Sequence, residues 1–314
     1  MFLPQLHYTD AMQVCYIGDI LKEARVRLHI SQEELSFDLC SVPTLSRIES
    51  GKQVPGRKLV EALFSKMGMV VPAGGIPMTK IDLLRSNLEY QMTDMLATGN
   101  TEIAGLLEQY RACGGELDSF EMQFYLFFKA LYESEHGKTD VLSDLEKALR
   151  LTIRRYVLGS LPVVRFLTKT ELLILNNIAL NQYALGEHEK AIALMEFVRA
   201  YFENGIMLEE EKAKNYPVIL HNLENWYGQS GLPEKVLSLC EIGIDVCIRY
   251  GKLTQFPYHI FNKGYALALL GKKDEAKVYI AQAFNVFDAM KKHELVVFGA
   301  KSVNETFGFD FPTD

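Results

Sequence analysis

The sequence predicts an all-α protein in two parts, a compact head of short helices and a body wound as a right-handed solenoid of about five helical hairpins. Three observations carry that expectation. Apolar residues recur at helical spacing and alternating β-branched runs are few. The segments Y-A-L-G-E-H-E-K-A, G-Q-S-G-L-P-E-K-V and A-L-L-G-K-K-D-E-A align on Gly186, Gly231 and Gly271, each followed five residues later by Ala191, Val236 or Ala276, so one hairpin unit repeats. The run V-V-P-A-G-G-I-P-M-T-K, ending at Lys80, packs two prolines and two glycines into the strongest break in the chain. Residues 1–70 therefore form the head, 71–80 a linker and 81–314 the body. Charge follows the same division: residues 15–70 carry eight Lys and Arg against seven Asp and Glu, whereas the 314-residue chain as a whole has a formal charge of −7. That balance excludes a surface that binds polyanions everywhere and leaves room for one local basic site.

In the head, Ile17, Leu21, Ala24 and Leu28 fall at i, i+4, i+7 and i+11, the apolar stripe of a first helix. Ser31-Gln32-Glu33-Glu34 reads as a capping box, with the serine hydroxyl taking an orphan amide and Glu34 reaching back. It opens a second helix carrying Leu35 and Leu39. After a break at Cys40-Ser41, Pro43 suits the first turn of a third helix because no amide is needed from it there. On that helix Leu45 and Ile48 point inward and Thr44 and Arg47 share the outward face, and Ser50-Gly51 ends it. Arg47, Lys52, Arg57 and Lys58 form a basic cluster beside it, an arrangement suited to a major groove.

The strings I-S-Q-E-E-L-S and T-L-S-R-I-E-S-G-K resemble the helix-turn-helix of phage-repressor-like (XRE) DNA-binding domains. The spacing of 15 positions from Gln32 to Arg47 is one shorter than in phage repressors, and the form L-C-S-x-x-x-L-S-R-I-E is similar to PlcR-type regulators. The resemblance implies that Gln32 touches phosphate or steadies its neighbours, and that Pro43, Thr44 and Arg47 face base edges of double-stranded DNA. Lys52, Arg57 and Lys58 would meet phosphates. An intradomain ion pair of Arg47 with Glu49 or Glu33 is the competing reading of that residue.

The repeated hairpins resemble tetratricopeptide (TPR) repeats, with Gly264, Ala266, Leu267, Leu270 and Gly271 fitting that pattern best. Two further turns are expected at Gly99 and Gly137, giving glycine spacings of 38, 49, 45 and 40 residues. Nine residues before three of the turns stand Asn177, Asn222 and Asn262, a place that in TPR-like repeats faces the concave groove. An asparagine amide both donates and accepts, so it can grip a peptide backbone of any sequence. Asn176, His221, Asn225, Tyr258, Phe261 and Tyr265 are expected beside them, a set suited to a short, partly apolar peptide. The alternative is that the asparagines bond only their own scaffold. At the matching places upstream stand Tyr90 and Phe128, expected to build a dimer interface or apolar pockets, while Phe124, Phe127 and Phe128 also read as core.

An XRE-like head joined to a TPR-like body resembles the bacterial peptide-pheromone receptors that include Rgg, PlcR and PrgX. That resemblance implies a cytoplasmic homodimer on an inverted-repeat operator, switched by a short signalling peptide. The alternatives are a TPR adaptor and a DNA-binding regulator without a peptide ligand. No enzyme is expected: G-x-S-x-G, H-E-x-x-H, G-x-x-x-x-G-K-[ST] and G-x-G-x-x-G are absent and the seven histidines have no ligand spacing. No cofactor or metal is expected either. Cys15, Cys40, Cys113, Cys240 and Cys247 are scattered and read as reduced thiols. Residues 1–14 lack the basic and apolar regions of a signal peptide and no run is long enough to span a membrane, so no membrane partner is expected.

Overall fold

The computed structural model describes residues 17–69, 80–97, 102–164, 166–205, 207 and 209–313. The expected break at residues 71–79, the turn at Gly99, Cys15 and the amino-terminal residues 1–14 lie outside the described residues. By contact the chain divides into two units, Met1–Glu121 and Met122–Asp314. Among the described residues there are helices and turns and no strands.

The first unit holds α1 (Ile17–Arg27), α2 (Gln32–Ser36), α3 (Val42–Glu49), α4 (Arg57–Lys66), α5 (Lys80–Ala97) and α6 (Ala104–Ala112). Leu21, Ala24, Leu35, Leu45, Ile48, Val60, Leu63 and Phe64 form one core from the first four helices. Two expectations are corrected. Leu28 is not on the buried stripe: α1 stops at Arg27, His29 turns the chain at φ +56, and Leu28 is exposed. Leu39 is not on α2, which ends at Ser36 because Asp38 enters the left-handed region at φ +64, a conformation that aspartate tolerates better than most residues. Leu39 still packs on the core from the turn. The Ser31 hydroxyl accepts the Glu34 amide at 3.0 Å, one half of the expected capping box.

The second unit is an array of hairpins. Helix α7 (Ser119–Glu135) begins just ahead of it, followed by α8 (Val141–Arg150), α9 (Lys169–Ala184), α10 (His188–Asn204), α11 (Glu209–Gln229), α12 (Pro233–Tyr250), α13 (Phe256–Leu269), α14 (Lys273–Ala289) and α15 (His293–Phe307). The turn glycines stand where the sequence puts them. Gly137, Gly186, Gly231 and Gly271 have φ of +90, +84, +70 and +79, a region costly for any residue with a Cβ. The small residues five places on, Ala191, Val236 and Ala276, are all buried between their helices. Helix α15 is an addition to the expected hairpins. It packs against α14, and the chain beyond it tucks back: Asn304 bonds both the amide and the carbonyl of Phe311, and Phe309 is buried.

Phe124, Phe127 and Phe128 are core residues, with rings in contact at 4.6 and 5.1 Å between centroids. Phe128, 1% exposed, is therefore no pocket or interface residue, because nothing outside the unit can reach it. Tyr90 on α5 is 72% exposed.

Candidate nucleic-acid interface and helical groove

Helix α3 is short, capped and braced. The Ser41 hydroxyl accepts the Thr44 amide at 3.2 Å and lies 2.8 Å from the Thr44 hydroxyl, with Pro43 in the first turn. Leu45 and Ile48 are buried, so the opposite face carries exposed Pro43, half-buried Thr44 and exposed Arg47. Lys52 follows, exposed, on a loop whose Lys52 and Gln53 amides both donate to the Arg47 carbonyl.

Arg47 is free of the carboxylate that competes for it. Glu49, one turn-side away on the same helix, accepts two bonds from Arg25, at 2.6 and 2.9 Å, and a third from Gln32 at 2.6 Å. Burial alone would push the Glu49 carboxyl up, but the bonds from Arg25 and Gln32 and the Arg25 charge hold it below the usual carboxylate range. A third Arg25 nitrogen donates to the Ile30 carbonyl, so one guanidinium ties α1, the turn before α2 and α3 together. Among the described residues Arg47 and Lys52 make no ion pair. Gln32 thus sits where it steadies α3 through Glu49.

Arg57 and Lys58 are placed differently from the expectation that they meet phosphates. Arg57, with a side chain 5% exposed, donates to Glu61 at 2.6 Å and to Glu89 at 3.0 Å, and the Lys58 ammonium lies 2.8 Å from Glu89. Tyr110 donates to the other Glu89 oxygen at 2.6 Å. Burial would raise the Glu89 carboxyl, and Lys58 and Arg57 outweigh it and hold it low. This cluster joins α4 to α5 and α6. A guanidinium this buried and doubly paired is no phosphate hand, and the signal was hidden because Glu89 lies 32 residues away in sequence.

In the second unit α9, α11 and α13, the first helices of successive hairpins, carry all nine of the expected peptide-facing residues, and all nine are half-buried. Side-chain bonds run from rung to rung. Asn222 donates to Asn176 at 3.2 Å, and the Asn262 amide reaches Glu224 at 2.9 Å, Asn225 at 3.3 Å and His221 at 3.3 Å. Asn225 lies 3.1 Å from the other His221 nitrogen. Burial pushes the His221 imidazole down to about 4, so the ring is neutral near pH 7. Both amides turn their nitrogen to the ring, and a neutral ring accepts at only one of its two nitrogens, so it takes a hydrogen bond from one of them at a time. Asn177 turns inward along its own helix, donating to the Leu173 carbonyl at 2.8 Å.

The aromatics divide. Tyr258 meets His221 edge-on at 5.0 Å and Phe287 edge-on at 4.9 Å, so it bridges the amide network and the core. Phe261 and Tyr265 face the other way, against Phe284 at 5.8 Å and Phe307 at 4.9 Å, in the core shared with α14 and α15. Below the network lies a pair that the spacing of asparagines did not reveal, Glu224 and His259, both with fully buried side chains and 2.7 Å apart. The signal was a glutamate at an apolar place of α11, four residues from Leu220. Gly243 on α12 makes room for the His259 ring, which a Cβ there would meet at 2.5 Å. Cys240 and Cys247 stand nearby, and burial raises both thiols, that of Cys247 to about 12, so they are unreactive.

Among the described residues no group of three His, Cys, Asp or Glu side chains could hold a metal ion. No helix among them is long and apolar enough to cross a membrane.

Residues 21–70 match the helix-turn-helix family. No curated protein matches the chain by sequence. Among solved structures, it is similar to Bacillus thuringiensis PlcR in complex with the peptide PapR7 and DNA, at 19% identity over 88% of this chain and 96% of that one, with a TM-score of 0.57. The apo form of the same protein gives 18% identity over 91% and 98%, also with a TM-score of 0.57. The apo form of the competence regulator ComR from Streptococcus vestibularis gives 14% identity over 94% and 98%, with a TM-score of 0.52. The chain therefore pairs a helix-turn-helix module of the XRE type with an all-helical, TPR-like array, the fold that PlcR and ComR share.

Proposed function

We propose that this protein is a cytoplasmic transcriptional regulator that binds an inverted-repeat operator as a homodimer and is switched by a short signalling peptide. Residues 1–70 are the reader, 71–80 the linker and 81–314 the peptide-binding and dimerising body. The observation that carries the reading is Arg47, exposed beside Thr44 on a braced helix and, among the described residues, left without an ion pair because Arg25 occupies Glu49. Pro43, Thr44 and Arg47 face base edges, Lys52 meets phosphate and Gln32 acts through Glu49. Two-fold symmetry then sets two such helices about 34 Å apart, one turn of DNA. PlcR, a structural neighbour, has been crystallised with both a peptide and DNA, which supports the pairing of partners.

The peptide lies along α9, α11 and α13, gripped by Asn176, Asn222, Asn225 and Asn262 with His221 and Tyr258. In the free protein these amides bond one another across rungs, so a peptide backbone exchanges for bonds already made. Its net gain is at most about 0.5–1.5 kcal/mol per amide, and it acts on DNA only by preferring one spacing of the rungs over another. The test is selection of bound fragments from sheared genomic DNA, followed by titration with synthetic peptides encoded beside the enriched site. Trp226, the chain's one tryptophan, stacks on Tyr183 at 4.4 Å a turn from Asn222 and reports binding by fluorescence. An inverted repeat and a saturable peptide signal weakened by Asn222→Ala are expected. Enrichment of no sequence overturns the regulator, and a peptide signal indifferent to Asn222→Ala overturns the groove.

A further inference from the structure

Away from the amide network, the second unit carries a cleft of about 230 Å³ between the loop after α8, the end of α9 and the first turns of α10. Its walls are Gly159, Leu161, Ala193 and Leu194, and its polar groups are Gln182, Lys190, Ser160 and Glu189. Gln182 is 1% exposed, yet among the described residues its amide nitrogen has no acceptor. A buried donor left unpaired costs its full desolvation, so its retention at a cleft wall calls for an acceptor that enters the cleft. The Ser160 hydroxyl is already used, donating to the Val157 carbonyl at 2.6 Å. Helix α10, 17 residues long, starts at this rim with no side-chain cap on its first amides. Orphan amides at a helix start favour an anion. Lys190 adds a positive charge that, among the described residues, is held by one exposed pair with Glu187 at 3.0 Å. Glu187 and Glu189 on the same rim oppose a second negative charge.

We propose that this cleft binds the carboxylate of one small apolar residue, with the carboxylate on Gln182 and Lys190 and the aliphatic group against Leu161, Ala193 and Leu194. A free amino acid and the last residue of a peptide chain both carry that chemistry. The recognised part of the ligand is one carboxylate on a branched aliphatic body no larger than the cleft. It differs from the groove ligand in place and in what it needs, an end rather than an extended backbone.

The test is ligand-observed saturation-transfer NMR on the full chain with N-acetylleucine, N-acetylleucinamide, leucine and Ala-Ala-Leu as probes. N-acetylleucine is expected to bind at millimolar concentration and its amide at least about tenfold more weakly, the loss of one charge-assisted contact. Gln182→Leu keeps the buried volume and removes the unpaired donor, and it should lower binding about tenfold. Ala193→Leu, at an exposed place on α10, should block the cleft without disturbing the fold, as circular dichroism checks. Leucine without Ala-Ala-Leu assigns a free amino acid, and the reverse assigns a chain end. No binding of N-acetylleucine, equal binding of its amide, or binding unchanged in Ala193→Leu overturns the proposal. Asn222→Ala should leave every probe unaffected, so the outcome stands apart from that of the groove.

Discussion

Each unit of the molecule buries a glutamate at its candidate site, and the two are held by opposite means. Glu49 in the head takes a two-pronged guanidinium and an amide. Glu224 in the body takes a histidine, an amide and the Cys240 thiol, with His259 at 2.7 Å and Asn262 at 2.9 Å, and among the described residues no arginine or lysine pairs with it. A cation with fixed fork geometry locks the elements it joins, which is what a helix that must present Arg47 at one angle requires. An imidazole and an amide hold their carboxylate without that fork and leave the amide able to exchange partners, which suits the proposed groove beside it. The rigid cluster braces the proposed reader, and the exchangeable one underlies the proposed receptor.

That contrast is broken most strongly at Arg25. Arg25→Ala leaves Glu49 buried with the Gln32 amide and the more distant charge of Lys22 and should cost about 3–5 kcal/mol, read from urea unfolding, with operator binding lost although Arg25 faces no base. Acid separates the units next. Glu49 has a lowered pKa, so its contribution is full above about pH 4.3 and falls away only below that. His221 is also lowered, to about 4, and the unfolded ring takes a proton from about pH 6.5 downward. Its contribution is full above about pH 6.5 and up to about 3 kcal/mol is lost by pH 4. Trp226 fluorescence should therefore report the body loosening at a higher pH than the NMR signals of the head.

A smaller difference is expected at Glu224→Gln. The amide oxygen still accepts from His259 and Asn262 can turn, so about 1–1.5 kcal/mol should go, measured by thermal unfolding. Equal losses for Glu224→Gln and Arg25→Ala would erase the comparison. Smallest is Asn222→Ala, expected to weaken peptide binding by about 0.5–1.5 kcal/mol in calorimetric titration and to leave DNA affinity of the free protein unchanged.

Much of this was legible in the order of residues, for identifiable reasons. Leu45, Ile48, Thr44 and Arg47 sort by face because a short helix has one periodicity. The turns at Gly137, Gly186, Gly231 and Gly271 were readable because a positive φ leaves few residues to choose from. The asparagine repeat led to α9, α11 and α13 because equal distance from a turn means equal place on a hairpin. What escaped depends on distant partners. Whether Arg57 is a phosphate hand or a buried anchor is decided by Glu89, and Asn262 meets Glu224 only because neighbouring hairpins bring them together from 38 residues apart. Phe261 and Tyr265 faced the core because α15 covers them, and that helix follows no turn glycine.

The central claim is that Arg47 reads bases on a helix braced by Arg25 and Glu49. Competition binding of wild type and Arg47→Ala to the selected operator and to a scrambled duplex, at one salt concentration, tests it most directly. The account predicts that the ratio of the two affinities collapses by roughly tenfold or more in Arg47→Ala, the worth of a paired arginine on guanine, while binding to the scrambled duplex falls little. A ratio that stays at the wild-type value would contradict it.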